Sequence, residues 1–71
     1  LQLLLIDKRE CPTVAEQISA AFLGHGKRIT NADIRELGGL DELRKFIDQN
    51  EDLYAVFDVN KQKFYPETLS L

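Results

Sequence analysis

Within residues 38–59, GGLDELRKFIDQNEDLYAVFDV, the hydrophobic period changes abruptly, and that change limits what this chain can fold into. Leu40, Leu43, Phe46 and Ile47 recur at intervals of three and four, which places them on one side of an α-helix. From Leu53 the period drops to two: Leu53, Ala55, Phe57 and Val59 alternate with Tyr54, Val56 and Asp58, the pattern of a strand. Residues 50–52 form the break. Asn60, Lys61, Gln62 and Lys63 then supply a polar hairpin loop, and Phe64 and Tyr65 begin a return strand that Pro66 ends or confines to a sheet edge. A helix followed directly by a hairpin is the outline of a winged helix.

The preceding segments fit that outline. Pro12 forces Cys11 out of helical conformation, and Thr13-Val14-Ala15-Glu16 forms a capping box that starts a helix. Val14, Ile18, Ala21 and Phe22 recur at helical spacing and define its expected buried face, and Gly24 and Gly26 close it. Ile29 anchors the following loop. Thr30 or Asn31 caps a short helix running to Leu37, with Ile34 and Leu37 pointing inward, and Gly38-Gly39 reorients the chain. The opening LQLLLI suits either a helix or a short buried strand. A helix is favoured, because Leu1, Leu4 and Leu5 share a helical face and no β-branched residue precedes Ile6. The expected fold is therefore α+β, a small winged helix, with residues 1–71 as a single domain.

A chain of 71 residues holds only a modest core, so a large buried active site is not expected. It begins with Leu and contains no Met, and a fragment of a longer protein is expected. No apolar run approaches the ~20 residues of a membrane-spanning helix, and LQLLLI lacks the pattern of a secretory signal. The single cysteine, Cys11, fits a reducing compartment, and a cytoplasmic setting is expected.

Catalysis has little support. His25 stands alone between two glycines with no Ser, Cys or paired acid at a telling spacing, and a solvated loop residue explains it better. Cys11 reads as an inert thiol. Asp48, Glu51 and Asp52 lack the ligand spacing of a calcium loop, and no glycine-rich loop follows a strand, so neither metal nor cofactor is expected. In GHGKR, glycines expose backbone amides and Lys27 and Arg28 follow, a combination suited to phosphate; a helix stop followed by solvated cations is the plainer account. The net charge of −3 weighs against nonspecific nucleic-acid binding. Asp41, Glu42 and Asp48 on the outer side of the last helix disfavour duplex reading in a major groove, since carboxylates repel phosphates over ~8–10 Å. Asp41 with Lys45, and Arg44 with Asp48, are spaced to pair within that helix.

The string GKRITNADIRELGGLDELRKFIDQNEDLYAVFD resembles the LOTUS, or OST-HTH, domain, a winged-helix module of RNA-regulatory proteins. The matching positions are Leu4 and Leu5, Val14 with Ile18 and Phe22, Gly26-Lys27 with Ile29, and Ile34 with Leu37-Gly38. Leu40 with Leu43 and Phe46, and Asp52-Leu53 before the strand, complete the match, which covers nearly the whole chain. The resemblance implies a non-enzymatic module that binds RNA, including structured G-rich RNA, or docks on a DEAD-box helicase or other ribonucleoprotein partner, or forms a homodimer. Helicase-binding members carry an extra helix after the second wing strand, and the chain ends at Leu71 without one, so RNA binding or self-association is the expectation. A small-molecule substrate is not.

Two readings stay open. In the first, Lys27, Arg28, Arg44, Lys45, Lys61 and Lys63 contact RNA phosphates, and Tyr54 or Tyr65 stacks on bases. In the second, the mixed-charge helix or a wing edge binds a protein.

Overall fold

A computed structural model describes residues 1–69. It is a mixed α+β fold of three helices and one four-stranded antiparallel sheet. The elements run β1 (Leu3–Asp7), α1 (Val14–Phe22), β2 (Lys27–Ile29), α2 (Asn31–Leu37), α3 (Leu40–Gln49), β3 (Tyr54–Asp58) and β4 (Lys63–Phe64). In space the strands lie in the order β2-β1-β3-β4.

The opening segment is thus a strand, not the expected helix, and it occupies the interior of the sheet. Leu3 pairs with both Ile29 and Asp58, and Leu5 with both Lys27 and Val56. A strand with neighbours on both edges and helices on both faces is apolar throughout, so LLLI carries no alternation to betray it. Its side chains divide between two cores. Leu3, with Leu5 beside it, joins Ile34, Leu43, Ile47, Val56 and Leu69 under α2 and α3. Leu4 and Ile6 join Ala20, Ala21 and Phe57 under α1.

That second core corrects the expected face of α1. Ala21 is buried as expected, but Val14 is 68 % exposed, Phe22 66 % and Ile18 40 %, while Ala20 turns inward. The small alanines let the helix backbone lie close to the sheet, and the sheet's own Leu4, Ile6 and Phe57 fill the space between. Thr13 does cap the helix, its hydroxyl accepting from the Glu16 N–H at 3.1 Å, but the Glu16 carboxylate accepts from that same hydroxyl and not from the Thr13 backbone. The full reciprocal box forms instead on α2, between Thr30 and Asp33.

On the other face, Leu43 and Ile47 are buried as the α3 pattern requires. Leu37 and Leu40 are 44 % and 40 % exposed, so they rim this core and do not fill it. The alternation of β3 is as read from the sequence: Val56 joins the core under α3, and Ala55, Phe57 and Val59 the core under α1. Gly26 has a local reason to be glycine. Its φ is +121°, and a Cβ there would sit 2.8 Å from the Leu5 carbonyl oxygen, so β2 could not approach β1 with any larger residue.

Candidate nucleic-acid interface

The sheet order decides where the six candidate cations lie, and they do not form one patch. Lys27 and Arg28 are on β2 at one edge; Lys61 and Lys63 belong to the β3–β4 hairpin at the other. Three inter-strand steps of about 4.8 Å each separate those edges. Within β2 the side chains also diverge. Lys27 is in register with Leu5 and shares its face toward α2 and α3; Arg28, one residue on, takes the opposite face and donates to Gln2 Oε1 at 3.2 Å.

Arg44 is committed to structure. Its Nε and Nη2 donate to the Leu69 carbonyl at 3.2 and 3.0 Å, and Nη1 meets Asp41 at 2.8 Å. Lys45 pairs with Glu42 at 3.3 Å. Both pairs are i,i+3, replacing the expected i,i+4 partners, and Asp48 instead accepts from the Tyr65 hydroxyl at 2.7 Å. That bond raises the Tyr65 pKa above the ordinary phenol value, with burial adding in the same direction. Tyr65 is therefore held against α3 and is not free to stack on a base. Lys63 lies 4.0 Å from Glu67, and Lys61 Nζ is 3.5 Å from the Thr68 carbonyl.

What the fold does assemble is a strip on the α3 side of the sheet. Asp7 and Tyr54 are register partners across β1 and β3, and the Tyr54 ring lies nearly parallel to Phe46 of α3, 20° apart with centroids at 6.5 Å. The Arg9 guanidinium stands 5.7 Å from the Tyr54 ring centroid, within cation–π range. At the other end, Phe46 and Lys27 line a shared cavity of about 210 Å³ together with Leu5, Ile34 and Leu37. In the order Lys27, Phe46, Tyr54, Arg9 a cation thus stands at each end of two adjacent aromatics, both rings being half-buried.

The acids beside this strip are engaged. Arg9 donates to both carboxylate oxygens of Asp7 at 2.9 Å, and these bonds hold the Asp7 pKa below its ordinary value. Asp33, at the wall of the cavity, accepts from the Thr30 backbone N–H, which lowers its pKa likewise. Arg9 therefore offers a flat guanidinium plane more than net charge, and Lys27 carries the exposed ammonium.

Sequence reasoning singled out Lys27 and Tyr54 but treated Phe46 as core and passed over Arg9. Arg9 becomes visible only once residues 3–7 are a strand, because that register sets Asp7 opposite Tyr54. Among the described residues there is no cluster of three His, Cys, Asp or Glu able to hold a metal, and no helix long and apolar enough to cross a membrane. No known family, curated protein or solved structure matches the chain.

Proposed function

We propose that this chain is a non-enzymatic RNA-binding module of an RNA-regulatory or RNA-transport protein, LOTUS-like in kind and acting in the cytoplasm. The observation that carries the reading is the parallel Phe46–Tyr54 ring pair, with Arg9 donating to the Tyr54 hydroxyl at one end and Lys27 at the other. Unpaired bases stack on aromatic rings and guanidinium planes, and a nearby ammonium takes the phosphate between them. The ligand is accordingly single-stranded or looped RNA, including unpaired segments of G-rich structures. The winged-helix part of the proposal draws on the order α1, β2, α2, α3, β3, β4, which is helix, strand, helix, helix and hairpin.

A fluorescence-anisotropy titration with single-stranded, G-rich and duplex RNA at two salt concentrations tests this. With Lys27 as the exposed phosphate contact of the strip, the slope of log K against log salt for single strands is roughly −0.7. Reversing that charge, Lys27→Glu, is expected to abolish that slope, and Tyr54→Leu to weaken binding about tenfold through loss of one stacked base. Unchanged affinity in the Lys27→Glu variant sinks the assignment.

A protein partner is the second reading, favoured by one observation: Val14, Phe22 and Leu23 stand more than half exposed on and just after α1. If this surface serves homodimerisation, sedimentation velocity shows a concentration-dependent dimer that Phe22→Ser abolishes. A chain that sediments as a monomer throughout leaves only a heterologous partner, such as a helicase or another ribonucleoprotein component.

A further inference from the structure

The sheet has an unfinished edge. β4 pairs with β3 only at Phe57 and Asp58, and the Tyr65 N–H bond to the Val56 carbonyl is the next contact along. Beyond it, Tyr54 and Ala55 have β1 on one side and a cleft of about 460 Å³ on the other. The Val56 and Asp58 carbonyls accept from Tyr65 and Gln62 on the β4 side, so the two-residue alternation directs the Tyr54 carbonyl toward that cleft. The Tyr65 hydroxyl bond to Asp48 closes its far end.

The two walls of the cleft differ in chemistry. On the α1 side stand Val14 and Ile18, both exposed. On the α3 side stand Asp48 and, just past the helix, Glu51, both exposed. Lys8 also lines the cleft, but its ammonium is held by the Glu51 backbone carbonyl at 2.6 Å, leaving two carboxylates against one ammonium.

We propose that this cleft binds an extended segment of a partner protein as an added strand, in a segment whose side chains alternate between apolar and cationic. The floor turns the Tyr54 carbonyl to the cleft, the Tyr54 N–H being given to the Asn50 carbonyl at 3.0 Å, and an open strand carbonyl accepts from extended backbone. Successive side chains of an added strand point to opposite faces, so one set meets Val14 and Ile18 and the other meets Asp48 and Glu51. Charge complementarity with those carboxylates selects Lys or Arg for the second set. The site shares Tyr54 with the RNA strip but uses its backbone edge, not its ring, and neither Ile18 nor Glu51 touches the strip.

The test is a calorimetric and amide-NMR titration of the chain with a capped octapeptide of alternating valine and lysine. The controls are a block peptide of the same composition and an alternating valine–glutamate peptide. The alternating valine–lysine peptide is expected to bind, shifting the amides of Tyr54, Ala55 and α1, while the two controls do not. Ile18→Gln and Glu51→Lys, both at exposed positions, are each expected to weaken binding about fivefold, the scale of one surface contact of about 1 kcal/mol, whereas Lys27→Glu leaves it unchanged. Equal binding of the block peptide, or indifference to Glu51→Lys, overturns the proposal. Loss of RNA binding with peptide binding intact would overturn only the RNA reading.

Discussion

Phe57→Ala is expected to leave the domain largely unfolded at 25 °C. Phe57 is 2 % exposed and is the largest side chain in the core beneath α1. Its ring meets Phe64 at 4.8 Å and Phe22 edge-on at 6.1 Å. The residues that α1 buries in this core are the small Ala20 and Ala21, so removing the ring leaves a cavity that the helix's own buried side chains are too short to fill. A buried Phe→Ala change costs about 3–5 kcal/mol, and a core of this size supplies about that much net stability in total. Phe57→Leu keeps most of the volume and should cost about 1.5 kcal/mol. Urea denaturation followed by circular dichroism distinguishes the two variants. A loss below about 1 kcal/mol for the alanine variant would mean that α1 does not seal this face of the sheet.

The second large effect is at Asp58, which is completely buried yet carries a carboxylate. Its oxygens accept from the backbone N–H groups of Asn60 and Lys61 at 2.9 and 3.1 Å and from the Thr68 hydroxyl at 2.8 Å. This one side chain therefore shapes the hairpin turn and ties it to the segment after β4, whose Leu69 joins the core under α3. Asp58→Ala strands three donors, and the expected loss is about 3 kcal/mol. Asp58→Asn keeps an acceptor and the shape and should cost about 1 kcal/mol.

Asp58 also sets a pH dependence. Burial alone raises its pKa, but the bonds from Thr68, Lys61 and Asn60, with the Lys61 charge, outweigh that and hold it below the ordinary carboxylate value. A group whose pKa is depressed on folding contributes stability above its unfolded pKa, about 3.9, and loses that contribution as pH falls through the folded value. Native stability should therefore decline below about pH 4, and Asp58→Asn should flatten that decline. Thermal melts between neutral and strongly acid pH decide the matter; identical acid limbs in the two proteins would refute it.

Much of the local structure was legible because its causes are local. The bounds of α3 follow from Leu43 and Ile47 at helical spacing and from the glycine pair before them. The start of α2 follows from a capping residue at Thr30, one of the two expected, and the alternation of β3 from its period of two. The hairpin follows from its polar loop residues, although β4 takes in Lys63, expected in the loop, and ends at Phe64, ahead of Tyr65 and Pro66. None of these needs a distant partner.

The first segment and the site needed distant partners. LLLI becomes a strand only because β2 and β3 flank it, and a strand buried on both faces has lost the alternation by which a sequence reveals strands. Once β1 lies between them, Lys27 and Lys61 are carried to opposite edges, and Asp7 is set beside Tyr54. The outward face of α1 was likewise undecided locally, since the helix is apolar on most sides and the bulk of Leu4, Ile6 and Phe57 beneath it selects its alanines. The sequence by itself determined helices α1 to α3 and the strand that follows them, through contacts within a few residues, but not the strand β2, which reads as a loop until β1 pairs with it. Only the tertiary structure decided which cations stand together and which rings they flank, because strand register links residues dozens of positions apart.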